Sequence, residues 1–197
     1  MPHYYSKKQT SDLNLREINI RIGNIFFQLF SGSGIFSKKK LDKGTEVLLK
    51  NLIVKNNWKV LDLGCGMGVV GIYVKKVFPK TNVVMSDVNK RAVYLTKKNA
   101  NLNNLDVEVI CSDGFEKIEE SFDAILLNPP QVAGKEVCFK LIEDSFEHLN
   151  KSGLLELVAR HNKGGKTLSE KMNSTFGNVK EIVKSSGYRV YISQKKT

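Results

Sequence analysis

The sequence predicts an α/β fold built on a seven-stranded, mostly parallel sheet, with helices on both faces and an antiparallel C-terminal strand. Three observations predict it. From Trp58 onward, short apolar runs alternate with amphipathic stretches, the rhythm of repeated β-α-β units. The first run passes directly into a glycine-rich turn, Val-Leu-Asp-Leu-Gly-Cys-Gly-Met-Gly at Val60–Gly68, where a strand of such a sheet hands over to a helix. The last two runs are separated only by Ser186-Gly187, a hairpin-like pair that reverses the chain.

The elements follow in order. Ile18–Ile22 and Ile25–Phe30 alternate apolar and polar positions across Gly23-Asn24 and read as a small hairpin. A loop at Gly32–Gly34, a basic run at Lys38–Lys40 and a helix over Gly44–Lys55 come next. Lys59–Leu63 is a buried strand. Val69–Phe78 is a helix with Val70, Val74 and Val77 on one face and Pro79 closing it. Asn82–Asp87 is a strand, and Asn89–Asn101 a helix capped by Asn89. Val107–Cys111 and Phe122–Leu127 are strands, and Lys135–Leu149 is a helix. Gly153–Ala159 is a strand, Leu168–Phe176 a helix, and Asn178–Ser185 and Gly187–Ser193 the closing strands. Residues 1–40 read as a basic N-terminal extension carrying the hairpin and packed on the main domain; residues 41–197 read as that domain.

A chain of 197 residues with 41% hydrophobic and 26% charged residues suits one globular domain. No apolar run is long enough to cross a bilayer, and the polar start, Met-Pro-His-Tyr-Tyr-Ser, lacks a signal-peptide core, so a cytoplasmic protein is expected. Cys65, Cys111 and Cys138 are far apart, and His3, His148 and His161 stand alone. That spacing offers no metal site and suits free thiols. Net charge is +11, unevenly spread: +5 over residues 1–40, −1 over 41–159 and +7 over 160–197. Scattered lysines serve solubility; charge gathered at both ends also suits a polyanion such as RNA.

Gly66, Gly68 and Gly71 satisfy the G-x-G-x-x-G pattern of dinucleotide sites, with Asp87 about twenty residues on. Asp62, at the end of the preceding strand, argues for a different ligand. A carboxylate there repels a pyrophosphate and attracts a cation, by roughly 4 kcal/mol at ~4 Å for an effective dielectric of 20. The amino group and sulfonium of S-adenosylmethionine fit that sign. Asp87 ends the second strand, where it can accept from two ribose hydroxyls or serve as a helix cap. Asp113, in Ser112-Asp113-Gly114, can accept from an adenine amine or make an Asx turn.

Asn128-Pro129-Pro130 follows the apolar run Ala124–Leu127. It is either a strand-ending turn or a place where an amine is made reactive. The lone pair of an exocyclic or amide nitrogen is delocalised. Two acceptors on its two N–H bonds favour a tetrahedral nitrogen and free that pair. An Asn side-chain oxygen and the next carbonyl, stiffened by proline, supply them. The carboxyl edge of the strand, where α/β ligands bind, favours the second reading.

In order and spacing, Val60–Gly68, Asp87, Ser112-Asp113 and Asn128-Pro129-Pro130 resemble the motifs of class I S-adenosylmethionine-dependent methyltransferases. Within these the chain is most similar to the small-subunit ribosomal RNA guanine-N2 methyltransferases, in a single-domain form. The similarity extends through Phe36, Leu41-Asp42-Lys43-Gly44-Thr45, Gly153–Ala159, Thr175-Phe176-Gly177 and Tyr188–Tyr191, about Phe30 to Ser193. The resemblance implies a Rossmann-like sheet and S-adenosylmethionine as cofactor. It implies Asp62, Gly64, Cys65, Gly66, Gly68, Asp87, Val88, Ser112, Asp113 and Asn128 around that cofactor. Asn128, Pro129 and Pro130 would be the catalytic element, and Phe36 and Thr45 would close over the pocket. Many amine-directed relatives carry an aromatic residue after the two prolines; here it is Gln131.

The leading expectation is an N-methyltransferase acting on an exocyclic amine of RNA, namely guanine N2 of ribosomal RNA, or adenine N6. RNA would be held by the basic ends, and the protein would be a monomer or homodimer with no membrane partner. A protein glutamine-N5 methyltransferase uses the same chemistry. A non-catalytic RNA-binding module on the same fold and a nicotinamide dehydrogenase are the remaining alternatives.

Overall fold

The computed structural model describes residues 7, 12–35 and 41–196. Seven strands form one sheet: β3 (Lys59–Leu63), β4 (Asn82–Asp87), β5 (Glu108–Cys111), β6 (Phe122–Leu127), β7 (Leu149–Arg160), β8 (Lys180–Ser185) and β9 (Tyr188–Gln194). Their spatial order is β5-β4-β3-β6-β7-β9-β8. All neighbours from β5 to β7 are parallel, whereas β9 runs antiparallel to both β7 and β8. The reversed strand therefore lies one place in from the edge, and β8 forms the edge itself. A separate antiparallel hairpin, β1 (Arg16–Ile22) and β2 (Ile25–Ser31), precedes the sheet.

Period-two alternation splits the central strands between two cores. Val60, Val83, Met85, Ala124 and Leu126 face one side. They meet helices α2 (Val69–Val77) and α3 (Lys90–Leu102) and the inner face of the hairpin, Ile20, Ile22, Phe27 and Leu29. Leu61, Val84, Ile125 and Leu127 face the other side, against α4 (Lys135–Glu147) and α5 (Gly165–Phe176). Burying each large hairpin side chain is worth about 1.5–3 kcal/mol. Asn99 of α3, fully buried, adds a polar tie. Its Oδ1 accepts from Phe30 N–H (2.7 Å), and its Nδ2 donates to the carbonyls of Phe30 and Met67 (both 2.9 Å). One amide thus joins the hairpin to the glycine loop.

Helix α1 (Lys43–Leu49) lies over Val158, Val190 and Ile192. It is shorter than the expected Gly44–Lys55. Fully buried Glu156 in β7 accepts the Ile53 N–H on both carboxylate oxygens (3.1 and 3.3 Å), drawing the chain after Asn51 down to the sheet. Burial raises that carboxyl to about 7. Strand β7 starts at Leu149, four residues before the expected Gly153, through a register shift opposite Phe122–Ala124. Single 3-10 turns follow β6 (Gln131–Ala133) and β7 (His161–Lys163). No helix among the described residues is long and apolar enough to cross a membrane.

Candidate active site

The strand order reverses between β3 and β6, and the carboxyl ends of these strands open into a cavity of about 590 Å³. The glycine loop forms its floor. Gly64 and Cys65 N–H both donate to the Ser86 carbonyl (2.8 Å each), which pins the loop to the end of β4. Gly66 adopts φ +60°, a conformation that favours glycine. It turns its N–H onto Asp87 Oδ2 (2.9 Å), while its carbonyl accepts from Thr96 Oγ1 (3.0 Å).

Two carboxyl groups lie in this floor. Asp62, 3% exposed, accepts the Gly71 N–H (2.9 Å). Asp87 accepts Gly66 N–H on one oxygen and Asn89 N–H (2.8 Å) on the other. Burial raises Asp62 to about 7 and Asp87 to about 6, the N–H donors offsetting only part of the cost. Neither has a cationic partner among the described residues. The hydroxyl of Ser86, 1% exposed and lining the cavity, has no hydrogen-bond partner among them either. Two uncompensated carboxyls and an unsatisfied hydroxyl fit a ligand carrying a cation and hydroxyl groups.

At the end of β6 the side chain of Asn128 is oriented from behind. Its Nδ2 donates to Asp42 Oδ2 (3.2 Å) and Thr45 Oγ1 (3.1 Å), so both amide hydrogens are committed. Asp42 is also the N-cap of α1, accepting Thr45 N–H (2.9 Å). The Asn128 Oδ1 remains as an acceptor. Pro130 (φ −76°, ψ 72°) makes a tight turn in which Gln131 N–H donates to the Pro129 carbonyl (2.8 Å), leaving that oxygen one further lone pair. The Gln131 Nε2 reaches across to the Lys163 carbonyl (2.8 Å).

The profile of the methyltransferase small-domain family matches residues 27–192. The chain belongs to that family. The cofactor of such methyltransferases is S-adenosylmethionine. YbxB of Bacillus subtilis, an uncharacterized protein, is 36% identical over 98% of both chains. Ribosomal RNA small subunit methyltransferase C of Actinobacillus pleuropneumoniae is 34% identical, with 97% of this chain matching 56% of that protein. The chain thus spans about half the length of the ribosomal RNA methyltransferases that it matches. Among solved structures, the T. thermophilus 16S rRNA N2 methyltransferase RsmC, in complex with AdoMet and guanosine, superimposes with TM-score 0.82 over 96% of this chain and 52% of that one. At 23% identity this likeness shows the shared fold.

Of the residues singled out in the sequence, Asp62, Gly64, Cys65, Gly66, Asp87, Val88, Ser112, Asp113, Asn128, Pro129 and Pro130 line the methyltransferase cavity, as does Thr45. Gly68 stands outside the lining and begins α2 with φ +86°. The carboxylate of Asp113 pairs with Lys7 (3.1 Å), and Ser112 Oγ accepts Lys117 N–H (3.1 Å). Phe36 and the Lys38–Lys40 run lie outside the described residues. Asp42 as the partner of Asn128, the unsatisfied hydroxyl of Ser86, and Arg160 and Tyr188 on the cavity wall escaped the sequence reading. Only Asp42, three residues before Thr45 at a helix start, carries a local signal, that of an N-cap.

Proposed function

We propose that this methyltransferase carries the methyl group of S-adenosylmethionine to an exocyclic amine of RNA, namely N2 of guanine in ribosomal RNA. The observation that carries the reading is the commitment of the Asn128 amide hydrogens to Asp42 and Thr45, which presents its oxygen to an amine. The names of the curated relatives support ribosomal RNA, as does the +7 charge of residues 160–197.

In this reading Asp62 and Asp87 hold the amino group and the ribose hydroxyls of the cofactor, and Ser86 supplies a further polar contact. The cofactor supplies an electrophilic methyl group on a sulfonium. Asn128 Oδ1 and the free lone pair of the Pro129 carbonyl accept the two amine hydrogens. They hold the nitrogen lone pair out of conjugation and toward the methyl group. Methylation would make the nitrogen acidic, and Asn128 Oδ1 and the Pro129 carbonyl, which would hold its hydrogens, would let one pass to solvent. The Asp42 carboxylate polarises the Asn128 amide and strengthens Oδ1 as an acceptor.

Asp42→Ala is therefore expected to lower kcat about 10- to 100-fold, with cofactor affinity little changed. It also removes the α1 cap, a loss of about 1 kcal/mol in stability. Asp42→Ser keeps a cap and separates the two effects: a wild-type kcat in the serine variant would show that the carboxylate does not act on Asn128.

The raised carboxyls of Asp62 and Asp87 set a pH dependence. Groups raised on folding favour the folded state at low pH, and that contribution is lost as pH rises through about 6 to 7. A cationic cofactor binds their charged forms and releases protons. Its affinity should rise between about pH 5 and 7.5, by up to tenfold per unit for each proton released. Calorimetry in buffers of different ionisation enthalpy checks this, and a flat affinity would remove both groups from the cation site.

The test of the substrate is transfer of labelled methyl to total RNA and to cell protein in parallel, followed by digestion. Label in N2-methylguanosine is expected, with RNA affinity falling by ~0.7 log units per log unit of salt for each single-strand phosphate contact. Label in glutamine alone would replace RNA with protein as the substrate.

A further inference from the structure

We propose that Arg160 and Tyr188 form the subsite that receives the target base and identifies it as guanine. The proposal rests on the reading above that the target is a guanine amine. The residue after the two prolines is where a flat partner for a base is expected, and it is Gln131, whose Nε2 is committed to the Lys163 carbonyl. The flat surface has to come from another element of the same cavity.

Arg160 ends β7 and Tyr188 begins β9, and the two are direct partners across that ladder. The guanidinium carbon of Arg160 lies 5.1 Å from the centre of the Tyr188 ring, and both residues line the cavity. The ring borders the amine-holding group. A Cβ at Gly44 would fall 2.7 Å from Tyr188 Cε1, and the next residue, Thr45, supplies the hydroxyl that holds the Asn128 amide. Glycine at position 44 is what lets the ring approach so closely. On another part of the lining, Val132 (68% exposed) and Val137 (44%) offer an apolar surface.

Charge makes the choice of base. Arg160 is exposed and has no carboxylate partner among the described residues, so its donors are available to a ligand. A guanidinium matches the paired acceptors O6 and N7 of guanine, whereas adenine shows a donor amine where guanine shows O6. A purine with its N2 amine at Asn128 presents O6 two ring atoms further along the same edge, past N1. Arg160 positioned on Tyr188 therefore reads the oxygen, and the tyrosine supplies stacking.

The experiment compares the wild-type protein with Arg160→Gln and Tyr188→Leu. Saturable binding of guanosine and of 2-aminopurine riboside, which keeps the C2 amine but lacks O6, is measured by NMR titration. Methyl transfer to unmodified small-subunit ribosomal RNA, made by transcription, is measured alongside. The wild type should prefer guanosine over 2-aminopurine riboside by about tenfold or more. Arg160→Gln should erase that preference by weakening guanosine alone, and lower kcat/KM on the RNA about 10- to 100-fold. Tyr188→Leu should weaken both nucleosides about tenfold. Equal nucleoside binding by wild type and Arg160→Gln overturns the subsite, as does the absence of saturable guanosine binding by the wild type at millimolar nucleoside. If the RNA takes up no label but the guanosine preference depends on Arg160, the subsite stands and the RNA substrate falls. If N2-methylguanosine forms and both variants behave as wild type, the RNA reading stands and the subsite falls.

Discussion

Replacing Asn128 with alanine is expected to lower methyl transfer about 10²- to 10³-fold while cofactor affinity stays within about twofold. The side chain sits at the end of β6, between the glycine loop and α1, and its amide hydrogens are already spent on Asp42 and Thr45. What alanine removes is the acceptor, Oδ1. The Asp42 and Thr45 oxygens can then turn to water and the N-cap of α1 remains, so folding is spared. The loss belongs to the transition state, because a flat, conjugated amine needs the acceptor only as it pyramidalises. Asn128→Asp keeps an acceptor but sets a second carboxylate against Asp42, and is expected to be almost as slow. Single-turnover incorporation of labelled methyl, with cofactor affinity measured separately, checks both variants. A wild-type rate for Asn128→Ala would end the amine-holding role.

Asp87→Ala is expected to weaken cofactor binding by about 1.5–3 kcal/mol, roughly tenfold or more. It is also expected to lower the melting temperature of the cofactor-free protein. Two effects combine because the carboxylate has two duties. It accepts Gly66 N–H from the loop and Asn89 N–H from the start of α3, and its remaining lone pairs face the cavity. Alanine leaves both N–H groups without a protein partner and slackens the loop. Asp87→Asn retains one carbonyl oxygen and should keep more of the stability than of the affinity. Calorimetric titration with S-adenosylmethionine, read beside thermal unfolding, separates the two duties. Affinity unchanged in the alanine variant would take Asp87 out of the cofactor site.

The strands and helices that pack on the sheet were legible because their apolar positions recur with the period of their own element. Lys59–Leu63, Asn82–Asp87 and Phe122–Leu127 have the bounds that their composition implies. The start of β7 was hidden. Asn150, Lys151 and Ser152 fall between the expected helix and the expected strand, and Ser152 does adopt φ +67°, yet β7 runs through them back to Leu149, which pairs with Phe122 across a register shift. The early end of α1 was hidden for a different reason. Nothing between Lys50 and Lys55 breaks a helix; the carboxylate of Glu156, 103 residues away, captures Ile53. Helix α5 starts at Gly165, three residues before its first large apolar side chain at Leu168, with Gly164 in the left-handed region before it. The site divides in the same way. Asp62, Asp87 and Asn128 stand at strand ends, where local sequence points. The Asp42–Asn128 and Gln131–Lys163 contacts join segments 86 and 32 residues apart and have no local trace.

The spacing of Gly66, Gly68 and Gly71 copies a dinucleotide fingerprint, and the structure shows what each glycine is spent on. Gly66 and Gly68 take left-handed turns, and a Cβ at Gly71 would lie 2.3 Å from Met85 Sδ while its N–H serves Asp62. None of these constraints refers to a phosphate. They express the cost of bringing a helix down tightly onto a parallel strand, a cost met wherever a sheet must bind a nucleoside at its edge. The string by itself therefore does not say which charge the ligand carries. The residue proposed to set the sign of the ligand lies upstream of the string: Asp62, a buried carboxyl that accepts the Gly71 N–H.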